Sequence, residues 1–317
     1  MKARYISMID RRVTVIDLTV FLLIVLGASV ALAQQYAIRG IDAPGAASTI
    51  IADTNNSGTI VGCYTITDFY DGPGIVLANA AFKFVKYPKA IATCANGVSN
   101  DGKIAGTYTD ATGNLHGFLL VGKTYKSIDY PGAVFTEAMK VNNAGLVVGD
   151  YYDGTTDHGF IWQSGTFTAL DYPGASSTSA HGINDAGTIV GNYTTSTFHG
   201  FSLTSGTYTS IDYPGAAGTG ANGINNSGQI VGLYYNTPYI DQGFIYSSGV
   251  FSTIDYPGAD ISGVTGINDS SQVVGVWGGP SAVDDYDIRG FVATPIPGTH
   301  DAQRQNGSKG KGFMVHK

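Results

Sequence analysis

Short runs of β-branched and aromatic residues alternate with tight turns along most of the chain. In the clearest copy, a first run leads into an Asn-Asp-Ala-Gly turn at residues 184–187, and a second reads Thr-Ile-Val-Gly-x-Tyr. A third run begins at His199, and a fourth follows a Ser-Gly turn and stops before Pro214. β-Branched and aromatic residues favour strands, whereas Asn and Gly suit turn positions with positive φ. The pattern therefore predicts four short strands in each unit.

The unit repeats six times. The glycine after the Ile-Val pair recurs at intervals of 44, 43, 42, 41 and 43 residues, at Gly62, Gly106, Gly149, Gly191, Gly232 and Gly275. A second marker, of the type Asp-Tyr-Pro-Gly, begins at Asp42, Lys86, Asp129, Asp171, Asp212 and Asp255. Four strands in about 42 residues is the period of a β-propeller blade. A β-helix would need shorter coils, and a two-sheet sandwich would not repeat six times.

The two ends of the repeat region complement each other. The sixth unit has three strands but reaches Pro295-Ile296-Pro297 where its fourth should lie, while residues 36–46 read as a fourth strand with no unit before them. An N-terminal strand that completes the last blade would close the ring and leave no exposed edge. The sequence therefore predicts an all-β, six-bladed β-propeller over residues 34–297, closed by its N-terminal strand.

These motifs resemble a known family. Asn-x-x-Gly-x-Ile-Val-Gly-x-Tyr, then His-Gly-Phe, then Asp-Tyr-Pro-Gly-Ala is similar to the bacterial extracellular HAF repeat, which is named after its His-Ala-Phe step, over about residues 36–294. At that step blade 1 keeps only Ala81-Phe82, and blades 2 to 4 have a His that precedes Gly instead of Ala, at His116, His158 and His199. Blade 5 has Gln242 and blade 6 has Arg289. The resemblance implies export and a repeat architecture, and it implies no reaction.

Residues 1–33 have the features of an export signal. A basic start is followed by an apolar core at residues 18–26 and by Ala31-Leu32-Ala33, a small-x-small cleavage site that would leave Gln34 first. The alternative is an uncleaved membrane anchor, but Asp17 shortens the apolar run and favours cleavage. We expect a secreted, periplasmic or cell-surface bacterial protein with no membrane span after cleavage. The polar, basic residues 298–317 are predicted to form a flexible tail.

Composition agrees with a chain of strands and turns. Only 13% of the 317 residues are charged, 44 are Gly, and Glu137 is the single Glu among 24 acidic residues. Low Glu and Lys with abundant Gly disfavours helices. The net charge is −7 for the whole chain but −12 for residues 34–297, which excludes a typical nucleic-acid-binding surface. We expect a monomer.

Cys63 and Cys94 are the only cysteines. In an exported protein two cysteines usually form one disulfide, and this pair has no metal-binding spacing. Two separate buried thiols are the alternative.

Residues that recur in every blade are expected to build the blade. This applies to the turn Asn residues, the paired glycines and the Asp before Tyr-Pro. His116, His158 and His199 lie on third strands of successive blades, about 15 Å apart by strand and blade spacing. Zinc ligation needs about 2 Å, so we predict packing or hydrogen-bonding roles for these histidines and no metal site.

A localised function should lie where the repeats differ. The loops between second and third strands vary most and share one face of the propeller. That face gathers acidic and aromatic residues, and the predicted ligand-binding residues there are Asp68, Tyr70, Asp157, Tyr239, Asp241 and Asp284. Such a surface suits a sugar, a cationic partner or Ca²⁺. The alternative is an ordinary solvated acidic surface.

The innermost strands offer a second candidate. Just before the Ile-Asn step four blades have Gly, whereas blade 1 has Asp53 and blade 3 has Lys140. Predicted ligand-binding residues at this channel mouth are Asp53, Asn96, Lys140, His181 and Asn222, of which Asp53, Lys140 and His181 are also the catalytic candidates. A channel ion pair or plain solvent exposure is the alternative.

Three functions follow from these features. The first is an exported scaffold that binds a carbohydrate or another envelope or extracellular protein through its variable loops, with no cofactor except possible Ca²⁺. The second is a hydrolase or lyase at the channel mouth, although Arg39 and Arg289 are too few for a sialidase-type arginine cluster, and no nucleophile elbow, zinc helix or phosphate loop is present. The third is a purely structural surface protein.

Overall fold

A computed structural model describes residues 34–66, 72–236, 240–279 and 288–297. The predicted signal peptide and basic tail lie outside these ranges. The chain divides into two units, one comprising Tyr36–Pro295 and the other comprising the terminal segments up to Gln35 and from Ile296. In the terminal unit, the amide of Ile296 donates to the carbonyl of Gln35 at 2.8 Å. No helix occurs in the described ranges.

Within these ranges 24 strands form six antiparallel sheets of four strands each. Blades 1 to 5 each use four consecutive strands, and blade 6 combines the last three strands with the first. The strands are β1 (Tyr36–Ile41), β2 (Ser48–Thr54), β3 (Ile60–Thr65), β4 (Gly74–Ala78), β5 (Ala81–Val85), β6 (Ala92–Val98), β7 (Ile104–Thr109), β8 (Leu115–Val121), β9 (Thr124–Ile128), β10 (Phe135–Val141), β11 (Val147–Tyr152), β12 (Asp157–Gln163), β13 (Thr166–Leu170), β14 (Ser177–Ile183), β15 (Ile189–Thr194), β16 (Phe198–Thr204), β17 (Thr207–Ile211), β18 (Gly218–Ile224), β19 (Ile230–Asn236), β20 (Ile240–Ser247), β21 (Val250–Thr253), β22 (Ile261–Ile267), β23 (Val273–Gly278) and β24 (Arg289–Pro295).

The N-terminal strand closes the ring, as the sequence predicts. Strand β1 pairs with β24 in register from Tyr36 opposite Pro295 to Ile41 opposite Gly290. Arg289, which stands where blades 2 to 4 have His, lies 3.5 Å from the carboxylate of Asp42 in the first marker, Asp-Ala-Pro-Gly. The first and last repeats are therefore joined by both backbone pairing and an ion pair.

Each blade packs around the residue after its third-strand glycine. Phe118, Phe160, Phe201, Phe244 and Phe291 are all 0% exposed. The neighbouring glycines make room for these rings: a Cβ on Gly191 would lie 2.1 Å from the carbonyl oxygen of Ser179 and 2.9 Å from the ring of Phe201. A larger residue there would collide with backbone, so the repeated Gly is a packing requirement.

Blade 1 corrects one sequence interpretation. Ala81-Phe82 does not begin the third strand, because it opens β5, the fourth. Gly74 pairs with Cys63 as Gly117 pairs with Thr107 in blade 2. Ile75 therefore takes the core place that Phe holds elsewhere, and it is fully buried.

Stacked aromatic rings join consecutive blades. The Tyr of each Tyr-Pro marker stacks on an aromatic residue in the second strand of the next blade. The pairs, with centroid separations, are Tyr87–Tyr108 (3.6 Å), Tyr130–Tyr151 (3.5 Å), Tyr172–Tyr193 (3.6 Å), Tyr213–Tyr234 (3.6 Å) and Tyr256–Trp277 (4.0 Å). Much of the Tyr content of this chain therefore holds blades together.

The turn Asn residues link the blades on the face where inner strands end. In blade 4, Asn184 Oδ1 accepts the amide of Thr188 in its own turn, while Nδ2 donates to the carbonyl of Asn225 in blade 5. The following residues form a closed ring in which each backbone amide donates to a side-chain oxygen of the next blade. Its six links are Asn56 to Asn100, Asn100 to Asn143, Asn143 to Asp185, Asp185 to Asn226, Asn226 to Asp269 and Asp269 to Asn56.

The repeated histidines bind the Asp of their own blade. The Nδ1 to Oδ1 distances are 2.7 Å for His116–Asp129, 2.8 Å for His158–Asp171 and 2.8 Å for His199–Asp212. Each ring also stacks on the second-strand tyrosine. These contacts confirm that the histidines and the marker Asp residues have hydrogen-bonding and packing roles.

Cys63 of β3 and Cys94 of β6 form the disulfide, with a Cα–Cα distance of 4.8 Å. The bond joins the second strand of blade 1 to the first strand of blade 2. The prediction of one disulfide is confirmed.

Candidate functional site

The inner strands β2, β6, β10, β14, β18 and β22 surround a central channel with two different ends. We call the end where these strands begin and the variable loops lie the loop face. The opposite end, with the Asn turns, is the turn face. Ala92 at the start of β6 pairs with Thr109 at the end of β7, which places the loops between second and third strands on the loop face, as predicted.

The channel is closed part-way along by the approach of the inner strands. Every inner strand has a β-bulge just before the Gly position. A Cβ added to Gly97 would lie 2.7 Å from Cα of Lys140, and one on Gly266 would lie 2.8 Å from Cα of Asp53. Four blades therefore need Gly at this level. The two remaining blades contribute Asp53 and Lys140.

Lys140 spans this constriction and ties three blades together. Its ammonium lies 3.2 Å from Oδ1 of Asp53 and donates to the carbonyls of Ala52 at 2.5 Å and Thr265 at 3.3 Å. The other oxygen of Asp53 accepts the amide of Val98 at 3.0 Å. Burial raises the pKa of Asp53 and lowers the pKa of Lys140, while their mutual attraction opposes both shifts. The geometry is that of a channel ion pair, which, beside plain solvent exposure, is the sequence-based alternative to a functional site.

The other predicted channel residues lie at the bulges. Asn96 donates to the carbonyl of Ala138 at 3.1 Å, and Asn222 donates to that of Val264 at 3.0 Å, so both amides link adjacent inner strands. His181 is half-buried near Lys140; its desolvation, and then the lysine charge, lower its pKa to about 4. Its imidazole is therefore neutral near pH 7. The structure brings all five predicted channel residues around one axis, with their polar atoms largely used between blades.

The turn-face end of the channel is a small polar funnel of about 60 Å³. The Asn and Asp ring described above surrounds it. The carboxylate of Asp185 accepts hydrogen bonds from the side-chain amides of Asn143 and Asn226. The carboxylate of Asp269 accepts them from Asn56 and Asn226. The funnel is too small for an organic ligand.

The loop-face end holds a larger cavity of about 390 Å³ between blades 1, 2 and 3. We call it the loop-face cavity. Its lining comprises Ile50, Cys63, Tyr64, Gly72, Ala92, Thr93, Cys94, Asn96, Thr107, Tyr108, Thr109, Leu115, Glu137 and Met139. Mostly apolar walls with a few polar groups, at this volume, are typical of small-molecule sites. Asn96 is the one predicted site residue in this lining.

Side-chain size explains why the cavity lies in blades 1 to 3. In blade 4, Phe198 occupies the position that Leu115 has in blade 2, and its ring lies 3.1 Å from where a Cβ on Gly220 would stand. In blade 5, the ring of Tyr235 lies 2.4 Å from where a Cβ on Gly218 would stand. Aromatic rings thus fill the equivalent space in these two blades.

Glu137 is the charged residue of the cavity, and sequence reasoning did not select it. It pairs across β10 and β11 with Asp150, which is only 6% exposed. Burial, and then the charge of Asp157, raise the pKa of Glu137; burial and both neighbouring carboxylates raise the pKa of Asp150 well above its ordinary value. The available signal was that the only Glu of the chain stands where other inner strands carry Ile, Cys, Ser or Gly.

The predicted acidic rim is only partly within the described residues. Asp68, Tyr70, Tyr239 and Asp284 lie outside them. Asp157 contributes to the field at Glu137, and burial raises the pKa of Asp241 on β20. Two further rim carboxylates, Asp110 and Asp153, cap their own turns and contact His116 and His158, respectively. Much of the described acidic rim therefore stabilises turns.

Exposed apolar residues also lie at the loop-face end of blades 1 to 3. Ile66, Ile91 and Val134 are each more than half exposed and stand within a few residues of Tyr64, Ala92 and Glu137 in the chain. Ile91 and Val134 directly precede the inner strands of blades 2 and 3. At the same position blades 4, 5 and 6 carry Ser, Ala and Asp. No group of three or more His, Cys, Asp or Glu side chains in the described ranges could hold a metal ion.

Comparisons with known proteins add solved β-propellers as structural relatives. The chain is similar to the β-propeller domain of the Trilobed protease from Pyrococcus furiosus (13% identity, TM-score 0.49, 78% of this chain and 94% of that one). It is also similar to the SapL1 lectin (14%, 0.49, 79% and 97%) and to a luciferin-regenerating enzyme (9%, 0.48, 83% and 96%). At this similarity the likeness carries no argument about function.

No protein-family model and no curated protein sequence matches the chain. The resemblance to HAF repeats stays a prediction.

Proposed function

We propose that this protein is an exported binding propeller that holds a small carbohydrate in the loop-face cavity. The observation that carries the proposal is the cavity itself, about 390 Å³ in volume and enclosed by three blades. Ligand sites are generally concave, mostly apolar and within about 300–1,000 Å³. The rings of Phe198 and Tyr235 fill the equivalent space in blades 4 and 5.

The lining chemistry supports a sugar. Tyr64 offers apolar ring surface, and Thr93, Thr107 and Thr109 add hydroxyl groups. The carboxyl group of Glu137 can accept or donate hydrogen bonds to hydroxyls. Aromatic surface beside hydroxyl, amide and carboxyl groups is the combination that a polyol ring with one apolar face requires.

Export is supported by two features. The signal-like residues 1–33 would direct secretion, and the Cys63–Cys94 disulfide is typical of oxidising compartments. Within the described residues, no helix is long and apolar enough to cross a bilayer.

The channel-mouth enzyme has less support. Lys140 has three protein acceptors for its three donors, and Asp53 is paired with it. Both groups line the turn-face funnel, which is too small for an organic substrate. Binding of Ca²⁺ stays an expectation, tested by repeating the assay below with Ca²⁺ and with a chelator.

Isothermal titration with neutral and amino monosaccharides tests the proposal. Leu115→Trp should fill the cavity and abolish binding, because Leu115 lines it. Phe198→Trp is the matched control, since Phe198 holds the same strand position in blade 4 and lies outside the lining. Binding that survives Leu115→Trp in a folded variant would place the ligand elsewhere and overturn the proposal.

A further inference from the structure

Resting on the proposed function, we infer that the sugar in the loop-face cavity carries a positively charged amino group, which Glu137 binds as its counter-ion. The ligand class would then be amino sugars with a free amine. The inference is carried by the placement of a carboxyl group in a partly open cavity, with no basic partner among the described residues.

The negative charge of this region is uncompensated. Neither Glu137 nor Asp150 has a side-chain hydrogen bond or a salt bridge in the described part of the chain, and Asp157 adds a third carboxylate to their field. The cavity lining within that part contains no Lys, Arg or His. Buried carboxyl groups without a basic partner hold protons in the free protein, and a bound cation would allow them to ionise.

The walls also suit a cation. Tyr64, Tyr108 and Met139 line the cavity together with Glu137. Aromatic rings and the polarizable sulfur of Met attract a cation more than bulk apolar surface does. An ammonium group would supply the positive charge that these carboxyl groups lack, whereas a neutral sugar would not.

Binding should therefore release protons from the carboxyl groups. The groups that face Glu137 are Asp150 on β11, Asp157 on β12 and Tyr108 on β7, with no basic residue among them. His116 of β8 is engaged by Asp129, and His181 of β14 lies near Lys140. A cation beside Glu137 stabilises the ionised carboxylates, so it lowers their pKa values and displaces protons that the free protein holds.

Titration calorimetry of the full protein with glucosamine and with glucose tests this inference. At pH 6 the sugar amine is charged, since an α-amino group titrates near 8. We expect glucosamine to bind about tenfold or more tightly than glucose, because a charge-assisted hydrogen bond is far stronger than a neutral one. Measurements in buffers with different ionisation enthalpies should show proton release.

Glu137→Gln should reduce the preference for glucosamine to less than about twofold and remove the proton release. Asp260→Asn is the matched control, because it removes one exposed carboxylate from the same face outside the cavity lining, and it should keep both. Equal binding of the two sugars, or a preference that survives Glu137→Gln, overturns the inference and leaves the proposed function standing. No binding of either sugar overturns both.

Discussion

At the scale of single residues, the repeat is explained by side chains that perform two tasks. Each turn Asn caps its own turn and donates to the next blade, as Asn268 does when it accepts the amide of Gln272 and donates to the carbonyl of Asn55. Asp, Ser or Thr could cap a turn but could not also donate through a side-chain amide. Blade 2 has Ser99 at this position, and its hydroxyl bonds only within its own turn.

The backbone at Lys89 allows a stability prediction. Lys89 has φ +67° where the markers of other blades have Gly, such as Gly132 with φ +84°. A left-handed conformation costs a residue with a Cβ about 1–2 kcal/mol. Lys89→Gly should therefore stabilise the protein by about 0.5–1 kcal/mol after the greater chain entropy of Gly, measured by chemical denaturation. Gly132→Ala should shift the midpoint the opposite way, and equal midpoints for all three proteins would contradict this reasoning.

Glu137 predicts a pH dependence of stability. Its pKa and that of Asp150 are raised in the folded state, so the native protein holds more protons than the unfolded chain above about pH 4. This contribution is complete below the unfolded pKa and is lost as pH rises through the folded values. Glu137→Gln should therefore flatten the fall in unfolding free energy on that alkaline side, measured by denaturation across pH.

Asp110→Asn provides the opposite sign. Hydrogen bonds from Thr112 and Asn114 hold the pKa of Asp110 well below its ordinary range. Its contribution is present above the unfolded pKa and is lost as pH falls, so the substitution should change only the acid side of the profile. A Glu137→Gln profile parallel to that of the natural protein at every pH would contradict the assignment.

At the scale of strands and sheets, the inner strands decide which end of the channel can hold a ligand. Their bulges and glycines bring the backbones together, and Lys140 spans the gap that remains. At this constriction the ion pair of Asp53 and Lys140 stands at the position where the other four blades have Gly.

The Asp53–Lys140 pair should show strong energetic coupling. The two side chains are 14% and 9% exposed, so Asp53→Gly alone leaves a buried ammonium without its counter-ion and should cost about 3–5 kcal/mol. The double variant with Gly at both positions reproduces the other four blades. It should recover at least about 1 kcal/mol relative to the sum of the single losses, measured in a double-mutant cycle. Additive losses would show that the two charges do not act as a pair.

The strands could be predicted from the sequence, and the cavity could not. Repeated turns and β-branched runs fix strand positions by local chemistry, and the unpaired strand at Tyr36–Ile41 required closure with the last blade. The third strand of blade 1 was assigned wrongly from the sequence because Ile75 replaces the usual Phe there, while Ala81-Phe82 on the fourth strand matches the motif. The cavity depends on the size of the side chains that meet between blades, such as Leu115 in blade 2 and Phe198 at the same position of blade 4. The sequence of a single repeat does not show which side chains meet.

At the scale of the whole molecule, stability comes from links between neighbouring blades. Aromatic stacks, the Asn and Asp ring, the β1–β24 pairing and the disulfide all join one blade to the next. Such a ring buries the faces of each sheet, which a single blade could not do alone.

The disulfide gives a test at this scale. Its two cysteines are 31 residues apart, and a loop of that length stabilises the folded state by about 3–4 kcal/mol. Replacing both Cys63 and Cys94 by Ser should lower the unfolding free energy by that amount, compared with the natural protein under oxidising conditions. Reductant should lower the stability of the natural protein and leave the double variant unchanged. A natural protein insensitive to reductant would contradict a disulfide in solution.

The most direct test of the central claim is a crystal structure of the purified protein soaked with a monosaccharide that binds it in solution. We expect the sugar in the loop-face cavity, with a ring face on Tyr64 and a polar group at Glu137. A sugar bound at the turn-face funnel or on an outer strand, with the loop-face cavity empty at saturating concentration, would contradict it.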